Sequence, residues 1–292
     1  MTGSGLVPEL KTLPQDIYDL FDPAKEHVPD ERNLEEFADN LKDILRTRLS
    51  ARPEVSNPLR FSSLGKPDRQ IWMDANPTGD ERPLNGKTYF KFLYGDVIEC
   101  LVLFLAKEAG HVVESPQAEV EVDGVKGHID AVIDGVVVDV KSAAPHGFKK
   151  FLYGDILNDD PFGYVHQLSG YSSVLTPGAD AAWVAMDKVS GSLTVSVLSK
   201  DVIKDNEPLP RITHLKEVLS NGDAPPPCYH PIPDGKSGNM KLATGCSYCK
   251  HINRCWPSAR KFLYSTGPRY LTTVVKTPDV PEVTALSAEV DF

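Results

Sequence analysis

Asp130, Asp139 and Lys141 are the residues whose types and spacing first suggest chemistry in this 292-residue chain. They lie in the stretch GHIDAVIDGVVVDVKS, which has the pattern of two β-strands joined by a tight turn. Asp134 and Gly135 form the expected turn, because both residue types tolerate the positive φ angles of a type I′ hairpin. Folding the strands back about this turn brings the two aspartates together.

The register of this hairpin follows from the position of its turn. The expected cross-strand pairs are Ile133 with Val136, Val132 with Val137, and Ala131 with Val138. Asp130 is then opposite Asp139, with Cβ atoms roughly 4.5–5.5 Å apart. Because side chains alternate along a strand, Lys141 and His128 are expected on the same face as the two aspartates.

Facing carboxylates repel each other and need a partner that neutralises them. The Val- and Ile-rich flanks predict burial, so water would not screen the repulsion. A divalent metal ion bound by carboxylate oxygens, with the Lys141 ammonium beside it, is the expected solution. The alternatives are a solvated pair on the polar face of an edge hairpin and a β-bulge that breaks the register. The run VVVDVKS favours burial, because no polar alternation precedes Asp139.

The strongest predicted helix, residues 88–109, carries an acidic residue within an apolar segment. Its expected buried stripe comprises Phe92, Leu93, Val97, Leu101, Phe104 and Leu105. Gly110 suits a helix C-terminus. Glu99 is costly to bury unless it is paired or metal-bound, although the helical periodicity also allows it to face solvent. Cys100 is expected to be a small buried hydrophobic residue.

Four of the five cysteines lie toward the C-terminal end, at Cys228, Cys246, Cys249 and Cys255. Thiolates clustered in this way are typical of a zinc or an iron–sulfur site, and the spacings do not distinguish the two. Such a cluster fits a reducing compartment better than a disulfide framework.

Positive charge is concentrated locally in an acidic chain. The net charge of −10 argues against a broadly basic nucleic-acid-binding surface, so any phosphate binding has to be local. Arg60, Lys66 and Arg69, set beside Ser62 and Ser63, could hold phosphates or belong to a solvated loop.

The remaining pattern predicts one large domain with an α/β (α+β) core. Helices are expected over 33–50, with a capping box at Asn33 and Glu36, and over 161–175, with Gln167 and Tyr171 on one side. Strands are expected over 118–122, 126–133, 181–186 and 192–198. The strands over 118–122 and 126–133, with the strand that follows Asp134-Gly135, would form a three-stranded meander. Irregular structure is expected over 1–29, 205–245 and 272–292. The chain shows neither a secretory signal nor a membrane-length apolar run, which predicts a cytoplasmic protein.

Together these motifs resemble those of the RecB-type branch of the PD-(D/E)xK nuclease superfamily over about residues 60–260. The matching motifs are Gly95 with Glu99, Gly127-His-Ile-Asp130, Asp139-Val-Lys141, Gln167 with Tyr171, and Cys246-x2-Cys249-x5-Cys255. The cysteine triplet resembles that of the iron-staple nucleases. The phrases CSYCKHINRCW and FLYSTGPRYL look like those of exonucleases encoded by tailed phages, which would place the protein in the host cytoplasm.

The resemblance implies a restriction-endonuclease-like fold. Its core would be a mixed central sheet flanked by helices, with an N-terminal helical arm and a C-terminal lobe carrying a cysteine-bound metal. The expected divisions are an arm over 1–59, the nuclease core over 60–204, the cysteine lobe over 205–271 and an extended acidic tail over 272–292.

The resemblance also implies a Mg²⁺- or Mn²⁺-dependent DNA exonuclease acting on linear single- or double-stranded DNA. Glu99, Asp130, Asp139 and the Val140 carbonyl would hold the metal, Lys141 would orient water, and Gln167 and Tyr171 would position the phosphate or the ammonium. DNA contacts would come from Arg60, Ser62, Ser63, Lys66, Arg69, His128, Ser142, Lys149 and Lys150. A replication or recombination partner is a further expectation. The alternatives are a flap or structure-specific endonuclease, and a non-catalytic nucleic-acid-binding or protein-interaction module.

The resemblance assigns a [4Fe–4S] cluster to the cysteines, whereas their compact local arrangement also suits structural zinc. One departure concerns the fourth ligand, which iron-staple nucleases take from an upstream cysteine. The corresponding phrase SSLGKPDRQIW has none, and Lys66-Pro67 stands there. Cys228 is therefore the expected fourth ligand, and the cluster would staple the lobe without taking part in cleavage.

Overall fold

The computed structural model describes residues 9–50 and 57–283. Its internal contacts form two compact units. The first comprises the described residues up to Gly65 together with Asn85–Thr213, and the second comprises Lys66–Leu84 together with the described residues from His214 onward.

Helices and strands are numbered here in chain order. The helices of the described chain are α1 Leu13–Asp19, α2 Glu31–Ser50, α3 Asp68–Ala75, α4 Gly86–Glu108, α5 Pro145–Tyr153, α6 Tyr164–Leu175, α7 Lys200–Asp205, α8 Pro208–Ser220, α9 Thr244–Ser247 and α10 Ile252–Cys255, with 3₁₀ turns at Leu10–Thr12, Phe61–Ser63 and Asp155–Leu157. The strands are β1 Val113–Glu114, β2 Glu119–Val122, β3 Val125–His128, β4 Ala131–Ile133, β5 Val136–Ala143, β6 Ala181–Asp187, β7 Leu193–Leu198, β8 Ile232–Pro233, β9 Met240–Lys241, β10 Arg260–Tyr264, β11 Gly267–Thr273 and β12 Glu282–Val283. None of these helices is long and apolar enough to cross a membrane.

A mixed five-stranded sheet forms the centre of the first unit, in the order β1-β4-β5-β6-β7. Strands β5 and β6 are parallel, and the other neighbours are antiparallel. The predicted α/β class, with a mixed central sheet flanked by helices, is confirmed. Strand β5 occupies the middle of this sheet, so residues along it are shielded on both sides.

The hairpin of β4 and β5 has the predicted register. Ala131 pairs with Val138 and Ile133 with Val136, and the turn residues Asp134 and Gly135 have φ angles of 51° and 80°. These positive values are those that a type I′ turn requires. The turn chemistry therefore fixed the pairing as expected.

The predicted continuous strand over 126–133 is wrong, and so is the three-stranded meander. Strand β3 ends at His128 and pairs only with β2, in a separate two-stranded sheet. The chain leaves that ladder at Ile129, whose N–H donates to Ala118 O at 3.1 Å, and enters the main sheet at Ala131. His128 therefore does not share a sheet with Asp139.

Helices α1 and α4 cover one face of the main sheet. The core there comprises Leu10, Leu13, Ile17, Ile98, Val102, Ala106, Ala131, Ile133, Val138, Val140, Ala182 and Val184. The irregular arm predicted over 1–29 is wrong in its described part, because Leu13 and Ile17 place α1 in this core. Residues 1–8 lie outside the described chain.

The predicted buried stripe of α4 is also wrong. The helix buries Ile98, Val102 and Ala106, which recur at four-residue spacing, whereas Phe92 remains 43% exposed. Only the C-terminal half of α4 packs against the sheet, so the excess of apolar residues in its first half left the periodicity ambiguous. The helix C-terminus at Gly110 (φ 89°) and the burial of Cys100 are as predicted.

Helix α2 begins earlier than predicted. Asp30 supplies the N-terminal hydrogen bond, accepting from the Arg32 N–H at 2.8 Å. The predicted capping residues serve the contact with α4 instead, since Asn33 donates to Glu108 at 2.7 Å and Glu36 pairs with Lys107 at 2.6 Å. A capping box fits a start at residue 33, and the true start two residues earlier removes that role.

Phe61 anchors the segment before residue 65 to helix α6. Its fully buried ring stacks on Tyr171 with centroids 5.4 Å apart. A Cβ built on Gly127 or Gly170 would lie only 2.6 Å from Phe61 side-chain atoms. Glycine is required at both positions because the aromatic ring fills the space that a side chain would occupy.

The second unit contains an antiparallel sheet in the order β12-β10-β11-β9-β8. The loop-rich structure predicted over 205–245 is wrong where α8, β8 and β9 form. The predicted extended tail is wrong in its described part, because β11 continues to Thr273 and Glu282–Val283 pairs with β10. Residues 284–292 of that tail lie outside the described chain.

Replacing Gly170 by Ala should destabilise the protein by about 1–3 kcal/mol, because the new methyl group would overlap Phe61. Gly147 in α5 provides the matched control, since its Cβ would meet Ala143 at an ordinary 3.6 Å. Gly147→Ala should be neutral or stabilising, as is usual for glycine in a helix. Urea unfolding measures both variants, and equal stability of Gly170→Ala and the unmodified protein would contradict this packing.

Candidate active site

Strand β5 places Asp139 and Lys141 on the face of the sheet opposite the α1–α4 core. Val138 and Val140 point into that core, and alternation along the strand turns Asp139 and Lys141 the other way. Asp139 is only 1% exposed, and the Lys141 ammonium lies 2.6 Å from its Oδ2. The predicted pairing of a buried carboxylate with this lysine is therefore present in the structure.

Asp130 lies just before β4 and reaches across to β5. Its Oδ2 accepts a 2.7 Å hydrogen bond from the Val140 N–H. The hairpin ladder itself ends at Ala131 and Val138, so the two aspartates are held together by this bond rather than by a strand pair. The predicted juxtaposition of Asp130 with Asp139 is retained although the strand carrying Asp130 is interrupted.

Glu99 brings a third carboxylate from α4. Its Oε1 accepts a 2.7 Å hydrogen bond from Gln117 Nε2. Burial, together with the negative charges of Asp139 and Asp96, raises the pKa of Glu99 to about 7. The structure thus resolves the ambiguity left by periodicity: Glu99 faces the other acids and not bulk solvent.

The three carboxylates share one electrostatic environment. Burial, then the charges of Asp139 and Glu99, raise the pKa of Asp130 well above its usual range. Burial also raises the pKa of Asp139, against the opposing effect of Lys141. For Lys141, burial alone would lower the pKa, but the Asp139 and Asp130 carboxylates outweigh it and raise the pKa. One ammonium is therefore surrounded by more negative charge than it can neutralise.

Helix α6 lines the other side of this group. The Lys141 ammonium lies 4.6 Å from the ring centroid of Tyr164, a cation–π contact. Asp160 fixes the start of α6, since its carboxylate accepts from the N–H groups of Gly163 and Val165 at 2.9 and 2.8 Å. Tyr164 is thereby held over the lysine.

Gln167 and Tyr171 lie one turn apart on α6, as predicted. Gln167 Nε2 donates to the Tyr171 hydroxyl at 3.2 Å. Tyr171 is buried against Phe61, and burial raises its pKa to about 12. The pair is rigidly placed, and its role toward a phosphate remains a prediction.

Three residues that the sequence motifs do not include complete the site: Gln117, Tyr164 and Asp160. Gln117 lies in a loop and has a positive φ of 57°, for which no sequence motif gives a signal. Asp160 could have been found, because an acidic residue shortly before a predicted helix is a common N-terminal cap. Tyr164 could have been found only by placing α6 against β5.

The predicted DNA contacts in the first unit have different surroundings. His128 is exposed, with Nε2 3.8 Å from Glu119, and Lys149 is exposed on α5. Lys150 pairs with Asp159 at 2.6 Å, and Ser142 is half-buried. Arg60 and Ser62 are exposed.

The predicted contact of Ser63 with DNA is wrong. Its side chain is buried, and its hydroxyl donates to Pro58 O at 2.8 Å while accepting from the Arg60 N–H at 2.9 Å. This hydroxyl holds the 3₁₀ turn together and is withdrawn from the phosphate contacts.

The donor set of the first unit suits a divalent cation with hard oxygen ligands. Both Asp139 oxygens are buried, and the Lys141 ammonium contacts Oδ2 at 2.6 Å. Oδ1 accepts no hydrogen bond from the described residues. The side chains have not converged on a common point, since no three acidic, histidine or cysteine residues in the described parts of the chain are arranged to hold an ion. Binding would therefore require Asp139 to turn from Lys141.

The second unit brings the four C-terminal cysteines to one cavity. Cys228, Cys246, Cys249 and Cys255 line it together with Gln70, Tyr229 and Trp256. Burial, then the three neighbouring thiols, raises the pKa of Cys246 to about 11. The thiols are free and are gathered without yet forming a coordination shell.

Lys66 and Arg69 belong to this second unit. Arg69 Nε donates to Cys255 Sγ at 3.3 Å, and its guanidinium also contacts Pro225 O. Lys66 lies 3.5 Å from Asp74. Arg69 is therefore withdrawn from the predicted phosphate contacts, because its guanidinium is engaged at the cysteine cavity.

Replacing Glu99 by Gln should raise the Tm of the metal-free protein at pH 8. The expected rise is roughly 2–4 °C for each kcal/mol of charge repulsion that the substitution removes. Because Glu99 keeps its proton to about pH 7 when folded, against an ordinary value of 4.5, it costs stability as pH rises through that window. Thermal melts in EDTA should give a higher Tm for Glu99→Gln than for the unmodified protein at pH 8, and equal Tm values at pH 5. A Tm difference between the two proteins that does not change with pH would contradict the proposed environment of Glu99.

No family model matches the chain, and no curated protein matches it in sequence. Among solved structures it is similar to the crystal structure of SSO0001, at 18% identity and a TM-score of 0.41, covering 76% of this chain and 96% of that one. It is also similar to an alkaline exonuclease (LHK-Exo) from Laribacter hongkongensis, at 10% identity and a TM-score of 0.28, covering 53% of this chain and 90% of that one. These are distant structural similarities.

Proposed function

We propose that this protein is a metal-dependent deoxyribonuclease that hydrolyses phosphodiester bonds of DNA. The observation that carries the proposal is the gathering of Glu99, Asp130 and Asp139 around the single ammonium of Lys141. Three neighbouring carboxylates, of which Asp139 is buried and Glu99 and Asp130 are half-buried, destabilise a fold unless something neutralises them, and a cation-dependent reaction provides a reason for keeping them. DNA is proposed as the substrate because the motifs that contain these residues resemble those of PD-(D/E)xK nucleases.

Glu99, Asp130 and Asp139 would hold Mg²⁺ or Mn²⁺, with the Val140 carbonyl as a further ligand. When bound, the ion polarises a phosphate oxygen and lowers the pKa of a coordinated water. The Val140 N–H already fixes the Asp130 carboxylate, so the second oxygen of that carboxylate remains for the ion.

Lys141 would act through its charge. Its ion pair with Asp139 and its contact with Tyr164 place the ammonium in the metal-free protein, and the contact with Tyr164 would keep it in place once Asp139 turns to the ion. From there it would orient the attacking water and stabilise the negative charge that develops on the phosphate. Gln167 and Tyr171 would position the phosphate, as an aligned pair on the neighbouring helix.

DNA would be held by a few local contacts, since the net charge of −10 excludes a broadly basic surface. Arg60, Ser62 and Lys149 are exposed and are retained in this role, together with His128, Ser142 and Lys150, and a phosphate contact of Lys66 stays a separate prediction for the second unit. Exonuclease action on linear ends is proposed over endonuclease or flap cleavage. Digestion of linear but not circular DNA of the same sequence distinguishes these modes.

The four cysteines would bind a structural metal, either zinc or a [4Fe–4S] cluster. The proposal is supported by their common cavity, which draws Cys228 together with the later triplet. A cysteine-bound metal would stabilise the second unit directly, because the ligands come from separate segments of the chain.

Replacing Asp139 by Asn should reduce Mg²⁺-dependent degradation of linear DNA by at least about 10³-fold, the loss expected when transition-state stabilisation worth several kcal/mol is removed. Asp123→Asn is the matched control, because Asp123 is exposed in the turn between β2 and β3. Release of acid-soluble nucleotides from end-labelled DNA measures both variants, with circular dichroism confirming folding. A folded Asp139→Asn variant with full activity would remove the proposed site.

Replacing Cys249 by Ser should lower bound metal and thermal stability before it affects any catalytic constant measured at low temperature. Cys100→Ala is the control, since Cys100 is the cysteine of the first unit and should leave the metal content unchanged. Elemental analysis and absorption near 400 nm distinguish zinc from iron–sulfur. Equal metal content in the two variants would contradict the assignment of these ligands.

A further inference from the structure

The first half of α4 exposes a set of aromatic side chains. Tyr89 is 45% exposed, Phe90 69%, Phe92 43% and Tyr94 40%. Exposed aromatic residues at this density are unusual on a helix whose other half lies in the core, and they mark an interaction surface. The part of α4 that leaves the sheet therefore has a function other than packing.

Two of these aromatic residues share a helix face with Glu99. At about 100° per residue, Phe92 lies about 20° from the direction of Glu99, and Tyr89 about 80° on the same side. The rings of Tyr89 and Phe92 contact edge to face, with centroids 6.3 Å apart. Phe90 points in the opposite direction, about 180° from Glu99.

This aromatic face leads directly to the carboxylates. With a rise of 1.5 Å per residue, Phe92 lies about 10 Å and Tyr89 about 15 Å from Glu99 along the helix axis. Gly95 occupies the intervening turn, and a Cβ there would meet only the Ser142 hydroxyl, at 3.7 Å. No bulky side chain at position 95 separates the aromatic pair from the site.

The charges beside this face suit an anionic chain. Lys91 and Lys87 are exposed on α4, about 80° and 120° from the direction of Glu99 on the side away from Tyr89. Asp96, the acidic residue nearest to Phe92 on the Glu99 side, is neutralised by Arg48, whose Nη2 lies 2.9 Å from Asp96 Oδ1. A phosphate backbone passing along α4 would meet positive charge without an uncompensated carboxylate before the metal ligands.

We propose that Phe92 and Tyr89 form a stacking platform for the unpaired bases of single-stranded DNA whose backbone continues to the carboxylates. The inference rests on the proposed function and specifies its substrate as a single-stranded end. Aromatic side chains bind bases by stacking, which requires bases that are not already stacked and paired within a duplex. Lys91, on the other side of Glu99, would attract the backbone as it approaches the carboxylates, and Gly95 would leave room for the nucleotide next to the site.

Single-stranded DNA fits this face better than a protein partner does. The aromatic pair continues along α4 toward a cation site, whereas a protein-docking helix face would be expected to continue as aliphatic residues at the same spacing. The next position toward the site is Gly95, which offers a partner protein no side-chain contact.

The test measures binding of a fluorescein-labelled oligothymidylate and of a blunt hairpin duplex by anisotropy. Asp139→Asn serves as the background, with Ca²⁺ present, so that no cleavage occurs. Phe92→Ala should weaken binding of the single strand by about 5- to 150-fold, the effect of losing one stacked base, and Tyr89→Ala should weaken it similarly. Phe92→Trp should restore binding, and its fluorescence should be quenched on addition of the oligonucleotide.

Phe90→Ala is the matched control, because it removes the same ring from the opposite side of the same helix. It should leave binding within about twofold of the background protein. Equal losses for Phe90→Ala and Phe92→Ala, or equal losses on single strand and blunt duplex, would overturn the inference. So would a change of oligomeric state in Phe92→Ala that accounts for the weaker binding.

Failure of the proposed function would look different. If the unmodified protein cleaves no DNA in Mg²⁺ but binds the oligonucleotide in a Phe92-dependent way, the platform stands and the nuclease assignment falls. If the protein degrades duplex DNA with Asp139 but none of the ring substitutions affects single-strand binding, the nuclease stands and the platform is wrong.

Discussion

Repulsion among three neighbouring carboxylates is the constraint on which the first unit depends. Glu99, Asp130 and Asp139 come from α4 and from the β4–β5 hairpin, and Lys141 supplies one positive charge among them. Because Asp139 is buried and the other two are half-buried, this imbalance is costly, and the raised pKa values of all three acids express that cost. Proteins retain such arrangements at functional sites, where stability is exchanged for activity.

The rest of the first unit keeps this group together. The core of α1 and α4 fixes the back of β5, so that alternation turns Asp139 and Lys141 to the front. On the front, Phe61 fills the space above Gly127 and Gly170 and sets the position of Tyr171. Tight backbone contacts on one side and an apolar core on the other leave the charged side chains as the part of the structure free to adjust to a ligand.

Local rules predicted the hairpin well, because the Asp134-Gly135 turn sets the register and period-two alternation assigns the faces. They failed where tertiary contacts decide. The interruption of the strand at Ile129 depends on a bond to Ala118, and the exposure of Phe92 depends on how far α4 extends past the sheet. Tyr164, which contacts Lys141 from another element, has no signal in the sequence near the lysine.

Crystals grown with Mn²⁺ would show whether Glu99, Asp130 and Asp139 share a divalent cation. An anomalous difference map recorded near the manganese absorption edge should show a peak bound by Asp130 and Asp139, with Glu99 in contact with the ion or with its water. Asp139 should then have turned from Lys141. A map with full Mn²⁺ occupancy elsewhere and none between Asp130 and Asp139 would contradict the account.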